Sequence, residues 1–413
     1  MSENVASPRR SGTGTPASAS EPWQRDRAEL EEVVRRLEEI YRPSASEGER
    51  EAAEWIAWRL REAGCTVKVE EELAHGTYWW PVGLMSAAAV VAGMLALRGR
   101  RLIGAVVGAL AAAGIADDID SGPQVFRHRF LPYHPSWNVV AEAGDATAGD
   151  TIVVVAHHDA AHSGLVFHPG PQRALARRFP DVVERQNTSA PLWFPVIGGP
   201  LLVAVGSLLG IKALTRLGMF LGLGSAAAMV DIGRRPAVPG ANDNLSAVAV
   251  LVALARSLHD RPITGLRVLL LSAGSEESLQ EGILAFARRH FHELSRERTR
   301  FVMLDTVGSP RLVMVEGEGT LKMRRYDREL CDLIAATAAE VGVELVRGIR
   351  ARASTDAVVP NKAGYPTALL VSFNEYKQLS NYHLPTDIAD NLDFGTVAGC
   401  ARVMDAVVRK LAG

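Results

Sequence analysis

Apolar segments without charge restrict most strongly how this chain can fold. No charged side chain occurs between His75 and Arg98, and the run 102–116, which follows a basic tetrad, is uncharged as well. A helix of roughly 20 apolar residues is long enough to cross the hydrocarbon core of a bilayer. The pattern predicts two apolar helices joined by a short basic turn, the second of them close to the minimum length.

A second pair of apolar segments repeats this plan farther along the chain. Residues 191–211 and 217–230 are apolar and flank the short basic break KALTR. The first hairpin also begins with Tyr78, Trp79 and Trp80, aromatic residues of the kind that anchor helices at a membrane interface. We expect two apolar hairpins, about four spans in all, placed in a lipid bilayer. The alternative is a buried helical hairpin or a dimer interface, and the apolar faces would also allow an oligomer.

The overall composition limits the partners of the protein. A formal net charge of -2 over 413 residues gives no electrostatic reason to expect a nucleic-acid partner. The three cysteines, Cys65, Cys331 and Cys400, lie far apart, which argues against a disulfide framework or a cysteine-ligated zinc site. Residues 1–20 are rich in Ser, Ala, Thr, Gly and Pro and lack the apolar region of a secretory signal, so they predict a disordered tail.

Outside the apolar segments, predicted strands alternate with predicted helices. Two helices at 21–41 and 51–64 precede a strand at 65–73, and the runs SWNVVAEAGD and TIVVVAHHDA read as the next two strands. After Asp243 the same alternation continues to a last helix at the carboxyl end. This order predicts an α/β fold with a mixed, mainly parallel central sheet and helices on both faces.

The domain organisation follows from these segments. We predict a main domain that is interrupted twice, with the following limits: a tail at 1–20, the main domain at 21–77, 118–188 and 232–413, hairpin insertion 1 at 78–117 and hairpin insertion 2 at 189–231.

Side chains that bind divalent metals recur where predicted strands end. They are two histidines and three carboxylates, namely His157, Asp243, Glu277, Asp305 and His383. Open α/β sheets place their sites at the carboxyl ends of the strands, so these side chains are expected to converge on one edge. Imidazole and carboxylate ligands in this number suit two divalent ions of the zinc type, although manganese or cobalt would also be accepted.

Two adjacent carboxylates can divide the work of a metal site. Glu277 can bind an ion while Glu276 stays free to act as a general base. Asp243, in the turn GANDN at a helix start, is the natural candidate to bridge two ions.

The motifs as a set resemble those of a known family. AHHD, GANDNLS, SEES, LDTVG and YHLPTD, in this order, are similar to the pattern of the co-catalytic di-zinc aminopeptidases, peptidase family M28. That family also contains glutamate carboxypeptidase-like and glutaminyl cyclase-like members. The resemblance covers nearly the whole chain except the two apolar insertions and implies the zinc exopeptidase fold and a two-zinc hydrolase.

Individual roles follow from the resemblance, residue by residue. It implies that His157 and Asp305 bind one zinc ion, that Glu277 and His383 bind the other, and that Asp243 bridges them. Glu276 would be the general base and acid.

The same resemblance also implies roles for residues that support the metal ligands or contact the substrate. Asp159 would orient His157. His158, Asp356 and Tyr382 are candidate substrate contacts, although His158 stands where the family often has Tyr and is better read as a supporting residue. Ala357 replaces a frequent His after Asp356, which weakens the assignment of Asp356.

The function expected from these residues is hydrolysis of peptide bonds by an exopeptidase, most specifically an aminopeptidase. A carboxypeptidase, a dipeptidase or an amidohydrolase is the alternative, because Arg350 and Arg352 lie near Asp356 and a free carboxylate needs arginine. An inactive membrane scaffold or receptor on the same fold is a more remote alternative, since the ligand set is intact.

The apolar hairpins are expected to emerge beside the metal site. The tight turn between the second and third strands makes these strands antiparallel, so the second begins where the third ends at His157. The catalytic side would then face the bilayer. The basic breaks in the hairpins favour an outside location of the main domain. The polar amino-terminal region without a signal, together with Arg234 and Arg235, favours the cytoplasmic side, which we expect.

Overall fold

The computed structural model describes residues 22–189 and 191–413. The predicted tail at 1–20 lies outside the described residues. The strands of the single described sheet are β1 (Thr66–Ala74), β2 (His134–Gly144), β3 (Thr151–His157), β4 (Arg267–Ala273), β5 (Thr299–Leu304), β6 (Arg311–Glu318), β7 (Arg324–Arg325), β8 (Val346–Ala351) and β9 (Thr367–Phe373).

Fourteen α-helices lie within the described residues. They are α1 (Pro22–Glu38), α2 (Glu47–Glu62), α3 (Trp79–Leu97), α4 (Arg101–Ile119), α5 (Val125–Phe130), α6 (Gly170–Arg178), α7 (Pro180–Arg185), α8 (Phe194–Leu209), α9 (Lys212–Arg234), α10 (Ser246–Asp260), α11 (Glu281–His290), α12 (Arg328–Glu340), α13 (Val358–Ala363) and α14 (Phe394–Ala412).

The sheet is mixed, with a parallel centre, as predicted. Its order is β1-β2-β4-β3-β5-β9-β6-β7, and β8 pairs with β6. The strands β4, β3, β5 and β9 are parallel, whereas β1 and β2 pair antiparallel with their neighbours. The strand β6 is antiparallel to β9 and β7 and parallel to β8. All seven residues of β3 are buried, and its Val-rich sequence suits a central strand covered on both faces.

The strands β2 and β3 run in opposite directions, as expected, but they are not neighbours in the sheet. The strand β4 lies between them, antiparallel to β2 and parallel to β3. The register pairs Ala74 with His134 and His157 with Ala273. The end of β1, the start of β2 and the end of β3 therefore share one edge of the sheet, from which both hairpin insertions leave.

Helices cover the sheet in two groups. The helix α10 contacts α1, α2 and α14, and it packs on β2, β3 and β4. The helix α11 packs on β1 and β2 and contacts α13. A continuous apolar core formed by the strands and these helices holds the sheet edge rigid.

The two hairpin insertions form one four-helix bundle, which the sequence pattern did not predict. The four helices contact one another in a closed ring, α3 with α4, α4 with α8, α8 with α9 and α9 with α3, and α3 also contacts α8 across the ring. Glycines allow close approach, since a Cβ added at Gly218 would lie 2.6 Å from the carbonyl oxygen of Gly199. Small residues at helix contacts are typical of membrane bundles.

The outer surface of the bundle is apolar. Leu102 and Phe220 are each 73% exposed, and many other large apolar side chains of the four helices are exposed as well. Three helices, α3, α4 and α9, are long and apolar enough to cross a membrane. The helix α8 has 16 residues, shorter than the other three.

The polar segment 171–186 forms two short helices, α6 and α7, because the chain breaks at Phe179 and Pro180. Two helices of the hairpin insertions end later than expected. The helix α4 continues past the predicted limit at 117 to Ile119, and α9 continues past 231 to Arg234.

Candidate metal centre

The predicted metal ligands lie together at the carboxyl edge of the parallel strands. His157 is the last residue of β3, Glu277 follows β4, and Asp305 directly follows β5. Asp243 lies in a tight turn before α10, and His383 lies in the loop after β9. The topology brings these residues together because parallel neighbours end at one edge.

The ligand atoms form two groups that share one carboxylate. One atom from each of His157, Asp243 and Asp305 lies within 4.8 Å of the others, and so do atoms of Asp243, Glu277 and His383. Nε2 of His157 lies 3.3 Å from Oδ1 of Asp243, and Nε2 of His383 lies 3.2 Å from Oδ2 of the same residue. The two oxygens of Asp243 thus face different histidines.

These distances fit a pair of divalent ions. Ligand atoms held at about 2.0–2.1 Å by one tetrahedral ion lie about 3.3 Å from each other. Nε2 of His383 lies 3.2 Å from Asp243 and 3.4 Å from Oε2 of Glu277. That nitrogen and Oε1 of Glu277 are buried without a hydrogen-bond partner in the described part of the chain. Because buried unpaired polar atoms are costly, an ion held by Asp243, Glu277 and His383 would compensate them.

Glu276 lies beside both groups. An oxygen of Glu276 belongs to a third cluster with His157 and Glu277, and Oε2 lies 4.0 Å from Nε2 of His157. Oε1 accepts a hydrogen bond of 3.2 Å from Nε2 of Gln280. Burial raises the pKa of the Glu276 carboxyl well above its usual range. A carboxylate of raised pKa within reach of a metal centre is suited to proton transfer.

Asp159 contacts the ring nitrogen of His157 that faces away from the other candidate ligands. Its Oδ1 lies 3.3 Å from Nδ1 of His157, on the side of the ring opposite to Asp243. The same carboxylate accepts hydrogen bonds of 3.0 Å from the backbone N–H groups of Glu276 and Glu277, and one of 2.6 Å from Oγ of Ser44. Asp159 therefore aligns a histidine and two acidic residues at once.

The three candidate substrate contacts have different surroundings. His158 is fully buried and its Nδ1 lies 2.9 Å from Oγ of Ser272 on β4. Because neighbouring side chains on a strand point to opposite faces, His158 turns away from the face of His157, so its position does not support a substrate contact.

Tyr382 and Asp356 lie closer to the centre. The ring of Tyr382 stacks on that of His383 at 3.8 Å, and Phe167 packs against His383 at 4.4 Å. Asp356 is 5% exposed and neither of its oxygens has a hydrogen-bond partner within the described residues. Burial raises the pKa of Asp356 to about 7.

Several supporting residues were missed by the sequence reasoning. Asp387 is buried and accepts hydrogen bonds from the backbone N–H groups of Asn242, at 2.8 Å, and Asp243, at 3.1 Å. Asp387 is the last residue of the motif YHLPTD, so the sequence did offer a signal by which it could have been found. Arg42 is fully buried and donates to the carbonyl oxygens of His158, Pro239 and Gly240, and no local pattern marks it.

Comparisons with known proteins agree with this geometry. The family model of peptidase family M28 matches residues 228–408, which include four of the five candidate ligands. No curated protein matches the chain.

Solved structures share the fold at low sequence identity. An aminopeptidase from Aneurinibacillus sp. strain AM-1 has a TM-score of 0.54 at 17% identity, with 94% of this chain and 95% of that chain covered. BSAP, a zinc aminopeptidase from Bacillus subtilis, has a TM-score of 0.53 at 15% identity, with 93% and 94% covered. A glutaminyl cyclase from Porphyromonas gingivalis has a TM-score of 0.52 at 12% identity, with 93% and 98% covered. Residues 228–408 of this chain therefore match peptidase family M28, and the fold of these solved structures is shared over 93–94% of the chain.

Proposed function

We propose that this protein is a two-metal exopeptidase of the membrane, most specifically an aminopeptidase. The observation that carries the proposal is the sharing of Asp243 between two ligand groups with Glu276 beside them. His157 and Asp305 would hold one ion, Glu277 and His383 the other, and Asp243 would bridge them. We expect zinc, with manganese and cobalt as the ions to compare.

The chemistry needs little movement of the side chains. Bound divalent ions polarise a carbonyl group and lower the pKa of water. Glu276 accepts the proton of the attacking water through Oε2, since Oε1 is engaged by Gln280. It then donates this proton to the leaving amine. Asp159 keeps the imidazole of His157 in the orientation that this arrangement requires.

The charges around the site favour recognition of a free amine. Asp356 offers two buried carboxylate oxygens without a partner among the described residues, which suits the ammonium group of a peptide amino terminus. Arg350 and Arg352, the candidates for binding a free carboxylate, have other contacts. Nη2 of Arg350 lies 3.4 Å from Oδ1 of Asn187, and the guanidinium of Arg352 lies 5.9 Å from the ring centre of Phe194.

A panel of substrates with metal analysis tests the reaction. Peptides with free and acetylated amino termini, with free and amidated carboxyl termini, and with amino-terminal glutamine separate the possible activities. We expect hydrolysis that requires a free amino terminus and falls by roughly 10²–10⁴-fold in Glu276→Gln with metal retained. The matched control is Glu344→Gln, a change at an exposed carboxylate. An active Glu276→Gln would refute the assignment of the base, and cyclisation instead of hydrolysis would refute the peptidase activity.

The membrane location is supported by the apolar outer surface of the bundle. We propose that α3, α4 and α9 cross the bilayer and that α8, which packs between α4 and α9, completes a fourth span. The metal centre would then face the membrane surface. Alkaline carbonate extraction of the full chain tests this proposal: retention in the membrane pellet is expected, and a soluble monomer would refute it.

We propose the cytoplasmic side for the main domain. Basic residues occur on both sides of the bundle, but α6, α7 and the end of α9 contribute arginines on the side of the main domain. Protease treatment of inverted and right-side-out vesicles tests this orientation. Digestion of the main domain in right-side-out vesicles would overturn it.

A further inference from the structure

The loop that carries Glu276 follows a strained path. Residues 274–280 connect β4 to α11, and Ser275, Leu279 and Gln280 have left-handed φ angles of 48°, 73° and 59°. Residues other than glycine rarely adopt this conformation, and they keep it only when their surroundings impose it. The contacts of this loop therefore determine where the Glu276 carboxylate points.

The first half of the loop is held by the main domain. Glu49 accepts hydrogen bonds from the backbone N–H and the hydroxyl of Ser275, at 3.2 and 3.0 Å. Asp159 accepts the two bonds from Glu276 and Glu277 described above. These contacts fix the backbone but leave the end of the Glu276 side chain free.

The second half is held by the segment that follows hairpin insertion 1. We call residues 121–127 the anchoring segment, because three of its side chains hold three consecutive loop residues. Arg127 donates to the carbonyl oxygen of Ser278 at 2.6 Å, Gln124 to that of Leu279 at 3.2 Å, and Ser121 to Oε1 of Gln280 at 2.8 Å.

Gln280 passes this constraint to the Glu276 carboxylate. Its Nε2 donates to Oε1 of Glu276 at 3.2 Å and to the carbonyl oxygen of Ser354 at 2.8 Å. A carboxylate and a carbonyl only accept, so the amide has one possible orientation, in which its oxygen faces the hydroxyl of Ser121. All of Ser121, Gln280 and Glu276 are buried, and Oγ of Ser354 also donates to Oε1 of Gln280, at 3.3 Å.

The anchoring segment is itself joined to the bundle. Ser121 lies two residues after the end of α4. Nε and Nη2 of Arg127 each lie 3.2 Å from a carboxylate oxygen of Asp118 in the last turn of α4, and both side chains are fully buried. Leu279 belongs to the same apolar cluster as Met85 of α3 and Ile115 of α4.

We propose that hairpin insertion 1 positions the general base, with Ser121 and Gln280 as positioning residues. The bundle is then part of the catalytic apparatus as well as a membrane anchor. This inference rests on the proposed role of Glu276. Its physical content is that the hydroxyl of Ser121 holds the amide of Gln280 in place, which engages Oε1 of Glu276 and leaves Oε2 directed towards the metal centre.

Two substitutions in the full chain, reconstituted in lipid nanodiscs, test the proposal. Ser121→Gly removes the hydroxyl and suits the φ of 48°, so it should not lower thermal stability. Gln280→Met keeps the length of the side chain and removes its hydrogen bonds. Gln280→Met should lower kcat roughly tenfold, the effect of losing one hydrogen bond to a charged group, and Ser121→Gly should lower it by up to the same factor, with KM and bound metal unchanged in both.

A matched control comes from the same bundle. Ser86 lies in α3, and its buried hydroxyl has no hydrogen-bond partner among the described residues. Ser86→Ala should leave kcat unchanged. The double variant Ser121→Gly/Gln280→Met should equal Gln280→Met alone, because Ser121 acts through Gln280. Fully additive losses would overturn the proposed order of action.

Hydrogen exchange separates this inference from the proposed function. The amides of Gln280 and Glu281 are bonded to the carbonyls of Glu276 and Ser275, so loosening of the loop speeds their exchange. We expect faster exchange in Ser121→Gly and no change in Ser86→Ala. If the amides of Gln280 and Glu281 exchange at the wild-type rate in Ser121→Gly, the inference is overturned, whether or not the wild type is active. If the wild type is active, an unchanged kcat in Ser121→Gly also overturns it. A wild type that hydrolyses no peptide overturns the proposed function alone.

Discussion

Oδ1 of Asp159 lies 3.3 Å from Nδ1 of His157, on the side of the imidazole that faces away from the candidate metal ions. The carboxylate is fully buried, so water cannot replace it. A carboxylate behind a metal-binding histidine fixes the orientation of the ring and raises its basicity. The same carboxylate also holds the backbone of Glu276 and Glu277, which couples the position of the proposed base to that of a candidate ligand.

Asp159→Asn should lower metal affinity by roughly 10- to 100-fold. The neutral amide cannot accept all the bonds of the carboxylate, so His157 and the loop after β4 lose their alignment. Zinc affinity is measured by competition with a fluorescent chelator. Asp260→Asn, at the end of α10, is the control and should bind as the wild type does. An unchanged affinity in Asp159→Asn would remove the role we assign to this residue.

Removal of metal should make stability depend on pH. Burial raises the pKa of Glu276 and of Asp305 well above their usual ranges and that of Asp356 to about 7. A carboxyl with a higher pKa in the folded than in the unfolded state stabilises fully below its unfolded pKa, and this stability is lost as pH rises through its folded pKa. The chelated protein should therefore unfold at lower temperature as the pH rises from about 4 to above 7.

Zinc should reverse this loss, because positive ions favour the ionised carboxylates. The increase in Tm on adding zinc should consequently be larger at pH 8 than at pH 5. Thermal unfolding of the chelated and loaded protein in detergent checks both points. A chelated protein that becomes more stable with rising pH would contradict the assignment of these raised pKa values to burial.

Substitutions at Asp356 and Arg350 should distinguish an aminopeptidase from a carboxypeptidase. Asp356→Asn should raise KM for peptides with a free amino terminus about tenfold or more, because a charged partner of the ammonium group is lost. Arg350→Gln should have little effect, since this side chain contacts Asn187. Steady-state kinetics on the same peptides with amidated carboxyl termini completes the comparison. The opposite pattern would indicate recognition of the carboxyl terminus.

Close packing of α8 and α9 should make the bundle sensitive to volume at Gly218. A Cβ there would lie 2.6 Å from backbone atoms of Gly199 and Val203, so Gly218→Leu should destabilise the bundle by about 1–3 kcal/mol or more. Phe220→Leu, at an outward-facing position of the same helix, is the control and should be nearly neutral. Thermal stability in detergent is the measurement. Equal stability of both variants would indicate that the two helices do not pack in this way.

The resemblance to peptidase family M28, the fold class and the set of candidate ligands could be recognised from the chain itself. Strands and helices leave a local periodic pattern, and the ligands stand directly after strands, as His157 and Asp305 do. Chain order and the edge rule for parallel strands were sufficient to expect that these ligands meet. The apolar helices could be predicted as well, because a long run of residues without charge is visible in the local sequence.

Only the tertiary structure decided how the hairpins and the catalytic loop relate. The sequence predicted two separate hairpins, whereas the structure has one bundle whose exit at Ser121 contacts Gln280, 159 residues away along the chain. The insertion of β4 between β2 and β3, the buried Arg42 and the support from Asp387 were likewise unpredicted. Such contacts depend on which distant segments the sheet order brings together, and a single polar residue gives no periodic signal of its distant partner. The local sequence thus determined which chemistry the chain carries, and the tertiary structure decided which side chains hold that chemistry in position.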